Sequence, residues 1–123
     1  MSTPQLTPDV LADLIAEQAS DKKAADIVVL DLRGALGYTD MFVIATGNTD
    51  RQVKAIHDGI HRALKDEHGI LPRRVEGLTE SRWVLMDYLD VVVHVFTPET
   101  REYYRLEQLW GDVPSRSYEA AEV

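Results

Sequence analysis

One succession near the middle of the chain restricts its fold more than any other. Met41-Phe42-Val43-Ile44-Ala45-Thr46 is short and apolar throughout, so it reads as a buried strand. Gly47-Asn48 closes it, and Thr49 and Gln52 follow at capping-box spacing. There the hydroxyl and the amide can each satisfy a backbone N–H left unpaired at a helix start. Val53, Ile56, Ile60 and Leu64 fall on one narrow helical face, and Gly69 ends the helix. A buried strand followed by a one-sided helix and further strands admits a right-handed parallel crossover.

The flanking segments extend the pattern. Thr7 is a good N-cap, Pro8 fits the first helical position, and Asp9 favours the positive end of the helix dipole. Val10, Leu11, Leu14 and Ile15 then form an apolar stripe, ended by Ser20-Asp21-Lys22-Lys23. Asp26 to Leu32 reads as a largely buried strand, broken by Arg33-Gly34-Ala35-Leu36-Gly37. Ile70 to Val75 is a weaker strand interrupted by Pro72. Trp83 to Leu89 and Val91 to Phe96, with Asp90 as the break, predict a hairpin. Thr97-Pro98-Glu99 opens a last helix that carries Tyr103, Leu106, Leu109 and Trp110 inward and stops at Gly111. The expected architecture is α/β (α+β): a mixed sheet of about five strands flanked by helices. It forms a single domain over 6–111, with loose residues at the start and a flexible C-terminal tail over 112–123.

Composition bounds the function. The chain has 123 residues, 45% of them hydrophobic, enough for one domain with a real core. It contains no apolar run of membrane-spanning length, and Met1 to Gln5 lacks the basic start and apolar stretch of a secretory signal. A soluble cytoplasmic protein is the expectation. Without cysteine there is no disulfide, thiol nucleophile or thiolate metal site. The formal charge is −8. Its densest basic pairs, Lys22-Lys23 and Arg73-Arg74, sit among acids or at a single turn, which argues against direct nucleic-acid binding. An acidic domain is better suited to meeting a basic protein.

No catalytic constellation stands out. His57 and His61 have zinc-protease spacing, but Asp58 replaces the glutamate, Gly59 weakens the helix and no third ligand is evident. Solvated helix-face histidines are the simpler reading. Gly47-Asn48-Thr49-Asp50 could hold an anion at a helix start, yet Asp50 repels one and the capping box already explains Thr49. Asp26 with Asp31, and Asp87 with Asp90, are separated by odd numbers of residues, which on a regular strand points them to opposite faces. Ser81 and Ser117 have no neighbouring base, and His94 in its apolar strand reads as a core or sheet-face histidine with a hydrogen-bond partner. No cofactor and no metal are expected, and the chain does not read as an enzyme.

Trp83 is more informative. Alternation places Trp83, Leu85 and Asp87 on one side of a strand and Val84, Met86 and Tyr88 on the other. Both sides are too apolar for free exposure, so one packs on the domain's own helices and the other needs a second layer or a partner.

Thr39 to Gly47, Val75-Glu76-Gly77, Trp83 to Asp87, Asp90 to Phe96 and Leu106 to Trp110 together resemble the ribosomal silencing factor (Iojap) family, in the family's order over roughly Leu6 to Gly111. The resemblance implies a nucleotidyltransferase-like fold without nucleotidyl transfer. It also implies binding to the large ribosomal subunit at the protein numbered fourteen, on the intersubunit face. Small-subunit joining is then blocked and translation repressed when nutrients are short. Homodimers off the ribosome are implied as well. Carried over residue by residue, the binding surface comprises Trp83 as anchor, Leu85 and Leu89 as apolar neighbours, and Asp87, Asp90 and Glu76 facing basic groups of the partner. The competing reading is a nucleotide- and metal-dependent enzyme of the same fold, with Asp40, Asp87 and Asp90 around the metal.

Overall fold

The computed structural model describes residues 6–35 and 39–118. Helix α1 (Pro8–Asp21) leads into β1 (Ala25–Asp31) and β2 (Met41–Thr46), and α2 (Asp50–His68) into β3 (Arg74–Glu76), β4 (Trp83–Asp87) and β5 (Val91–Phe96). A short α3 (Pro98–Tyr104), a 3-10 helix (Leu106–Trp110) and β6 (Ser115–Ser117) complete the order. One six-stranded sheet runs β3-β4-β5-β2-β1-β6. Among the described residues β2 and β5 pair in parallel, with Met41 opposite Val91 and Thr46 opposite Phe96, and the other strand pairs are antiparallel. The crossover through α2 therefore delivers β3 in the direction of β2 but at the far edge, with β4 and β5 between them.

All three expected helix starts form, two of them with a side-chain cap. The Thr7 hydroxyl accepts from the Val10 N–H at 3.3 Å, and the Thr49 hydroxyl from the Gln52 N–H at 3.1 Å. Gln52 reaches one residue further back than the simplest capping box. Its Oε1 accepts from Asn48 N–H at 2.7 Å, while its Nε2 donates to the Lys22 and Lys23 carbonyls at the end of α1. One side chain thus caps α2 and fixes it against α1.

Strand alternation divides the interior. Ile27, Val29, Val43, Val84, Met86, Val93 and Val95 meet α1 and α2 on one face of the sheet. Leu30, Phe42, Ile44, Val92 and Phe96 form a smaller cluster on the other, where Leu106, Trp110 and Val113 cover only part of the surface. The first face is sealed by two helices, and the second is covered in part by a short segment, with Trp83 and Leu85 half-exposed.

The mixed sheet flanked by helices forms as expected, with six strands for an expected number of about five. Three expectations are corrected. The extra strand, β6, lies in the segment read as a flexible tail, because the free edge of β1 accepts it: Val28 pairs with Ser117 and Leu30 with Ser115, and Tyr118 N–H donates to the Ile27 carbonyl. Residues 119–123, like Met1 to Gln5, lie outside the described residues. The last helix is broken at Arg105, whose left-handed backbone (φ +46°) turns the chain. Leu106 and Trp110 still face inward, but Tyr103 is 80% and Leu109 71% exposed. His57, read as solvated, is buried on α2 with its Nδ1 2.8 Å from Asp58 Oδ1. It lies next to Ile56 in the buried stripe of α2 rather than on its solvated face.

Candidate functional site: a protein-docking face of the sheet

Register, rather than sequence proximity, assembles the site. Across β3, β4 and β5, Arg74 stands opposite Asp87 and Asp87 opposite Val92; Glu76 opposite Leu85 and Leu85 opposite His94; and Trp83 opposite Phe96. Directly opposed residues share a face. Glu76, Trp83, Leu85 and Asp87 therefore lie together on the incompletely covered side. Leu89 and Asp90 sit in the turn that ends this ribbon.

Trp83 is half-buried. Its indole N–H donates to His94 Nδ1 at 3.1 Å, and its ring centroid lies 5.0 Å from Phe96 and 4.8 Å from Tyr104. A groove of about 530 Å³ beside it is lined by Gly77, Thr79, Glu80, Arg82, Thr100 and Tyr104. Leu85 is half-buried and Leu89 is 48% exposed, so the ribbon offers apolar surface between Trp83 and the turn.

His94 supports the aromatic cluster as a neutral imidazole. Burial pushes its pKa down to about 4, as expected when the charged form is excluded from water. The unfolded chain takes up that proton near pH 6.5, whereas the folded chain resists it. The corresponding stability is complete above about pH 6.5 and is lost as pH falls toward 4, by about 3 kcal/mol. Urea unfolding at pH 7 and pH 4.5 measures the decline, and His94→Gln, with nothing to titrate there, reduces it by a comparable amount.

Asp87 is occupied differently from the expectation of a partner-facing charge. It is 7% exposed, its Oδ1 accepts from the Leu89 N–H at 2.8 Å, and its Oδ2 accepts from Arg73 Nη2 at 3.1 Å. Burial pushes the carboxyl up, but the Leu89 N–H and the Arg73 guanidinium outweigh it and hold it below the usual carboxylate range. Asp90 is half-buried, and its carbonyl accepts from the N–H groups of Asp40 and Met41 at 3.0 and 3.1 Å. Glu76 is exposed on edge strand β3, 4.0 Å from Arg74. Among the described residues, no group of three or more His, Asp or Glu side chains is arranged to hold a metal ion. Among them, too, no helix is long and apolar enough to cross a membrane.

His94, Tyr104 and Arg73 belong to this site and were not singled out for it in the sequence. The signal for His94 lies in a two-residue turn at Leu89-Asp90 rather than a break at Asp90 alone: counting outward from that turn pairs Leu85 with His94 and sets His94 diagonal to Trp83. Tyr104 and Arg73 had none, since each arrives from outside the ribbon.

The family described as "Ribosomal silencing factor during starvation" matches residues 4–123. The chain is 48% identical over 101 residues to the ribosomal silencing factor RsfS of Bacillus subtilis, covering 82% of this chain and 85% of that protein. It is 32% identical over 103 residues to the mouse "Mitochondrial assembly of ribosomal large subunit protein 1", covering 80% of this chain and 44% of the mouse protein. A crystal structure of a Chromobacterium violaceum protein superposes with a TM-score of 0.83 at 35% identity, covering 94% of this chain and 96% of that one. A fold with one partly covered, tryptophan-bearing sheet face and these relatives lead to one conclusion: the chain belongs to the ribosomal silencing factor family.

Proposed function

We propose that the protein represses translation by docking on the large ribosomal subunit and occupying the surface needed for small-subunit joining. Its partner there is the protein numbered fourteen. The observation that carries the reading is the half-covered ribbon face, where Trp83, Leu85 and Leu89 stay accessible in a sheet whose opposite face is sealed by α1 and α2. A few aromatic anchors such as tryptophan supply most of the holding energy at protein interfaces, and apolar neighbours exclude water around them. The formal charge of −8 steers the domain toward a basic partner, with exposed Glu76 and half-buried Asp90 at the rim of the face.

Repression then needs no covalent chemistry. A body bound only to the free large subunit withdraws it from the joining equilibrium by mass action. Off the ribosome, a second copy covers the same apolar ribbon, so the dimer and the ribosome compete. Co-sedimentation tests the reading: the protein pellets with large subunits and not with small ones, and added protein fourteen displaces it. Pelleting with neither subunit refutes it.

A further inference from the structure

We propose that Asp87 and Arg73 are positioning residues, and that they hold Leu89 as an apolar knob for the docking partner. The inference rests on the docking reading above and assigns a different task to Asp87 within it. The observation is the turn between β4 and β5. Leu89 has φ +75°, in the left-handed region where a branched aliphatic side chain crowds the backbone. Glycine, asparagine and aspartate fill such positions at much lower cost. Burial does not offset the strain here, because the Leu89 side chain is 48% exposed.

A dedicated set of hydrogen bonds keeps the turn in this state. Besides the Asp87 carboxylate bonds to Leu89 and Arg73, the Arg73 N–H donates to the Asp87 carbonyl at 2.7 Å. Tyr88 N–H donates to the Val91 carbonyl at 2.9 Å, and Asp90 N–H to the Tyr88 carbonyl at 3.0 Å. Asp90 in turn is tied to the start of β2 through Asp40 and Met41. Both Asp87 oxygens are already engaged within the protein, so a new ion pair with a partner is not what the carboxylate supplies. An exposed apolar residue held in a strained backbone by a buried carboxylate fits a binding knob better than a folding element. The surface it meets is an apolar pocket on a protein of the large subunit, rimmed by basic groups that face Glu76 and Asp90.

The test uses the full chain and purified large ribosomal subunits, with affinity and melting temperature read on the same samples. Leu89→Asn suits the left-handed backbone and removes the apolar group, so the melting temperature rises by about 3 °C. Its affinity for large subunits nevertheless falls about tenfold. Asp87→Asn, which keeps an acceptor for the Leu89 N–H, binds within about threefold of wild type, whereas Asp87→Ala loses about tenfold. The double variant Leu89→Asn/Asp87→Ala binds no worse than Leu89→Asn alone, the non-additivity expected of residues acting through one another. Wild-type affinity in Leu89→Asn overturns the proposal. So does a loss in Asp87→Asn equal to that in Asp87→Ala, which makes the charge itself the contact. Should Asp87→Ala fail to fold, Leu89→Asn still decides, and a loss of about tenfold in Asp87→Asn overturns the proposal by itself. Wild-type protein that does not bind large subunits refutes the docking reading itself, and this inference with it.

Discussion

Trp83→Ala is expected to weaken binding to the large subunit by roughly thirtyfold, corresponding to about 2 kcal/mol for the loss of an interface aromatic. The indole is at once accessible and built in. It fills the space between Phe96 and Tyr104 and gives the buried His94 imidazole its one hydrogen bond among the described residues. Removing it also costs folding stability, by about 2 kcal/mol for lost packing and an orphaned imidazole nitrogen. A domain of this size remains folded after such a loss. Affinity measured on the folded variant separates the two effects, and a folded Trp83→Ala protein that binds as tightly as wild type removes the tryptophan from the anchor position.

Gly77→Ala produces the largest effect on the fold itself. Gly77 has φ +91°, and a Cβ there would stand 2.0 Å from the Trp83 carbonyl oxygen, a backbone atom with no room to yield. The close approach exists because the 77–82 segment doubles back beside the start of β4: Ser81 N–H donates to the Gly77 carbonyl, and its hydroxyl to the Leu78 carbonyl, both at 2.8 Å. Forcing the two backbones apart costs about 3 kcal/mol, lowering the melting temperature by roughly 10 °C. It also displaces Trp83, so binding fails with it. Gly69, at φ +66° with open space around it, is the comparison. Its alanine variant loses about 1 kcal/mol, from backbone conformation alone. Equal penalties at the two positions contradict the steric explanation.

The parts of the fold that local chemistry determines were legible. Thr7 and Thr49 cap the helices expected of them, and the parity of β4 assigned Val84 and Met86 to one side and Trp83 and Leu85 to the other. What parity leaves open is which side the helices cover; α2 settles that by packing on the Val84 and Met86 side of β4. The elements that were misread depend on distant partners. β6 is three polar residues, Ser115-Arg116-Ser117, and becomes a strand only because β1 presents a free edge. The last helix kept its apolar spacing on paper. In the fold, Arg101 reaches the Asp26 carbonyl and the Thr46 hydroxyl at 2.7 Å while pairing with Glu107. That tether and the left-handed Arg105 replace a continuous helix with two short pieces. Asp87 shows the same limit within the site. Its face was readable from alternation, but its engagement by Arg73 and Leu89 required knowing how the turn closes.

Subunit joining, followed on sucrose gradients with purified large and small subunits and a saturating dose of the wild-type protein, tests the exclusion mechanism most directly. The predicted profile has separate large- and small-subunit peaks, with the protein in the large-subunit fractions. An undiminished peak of joined ribosomes at that dose contradicts it.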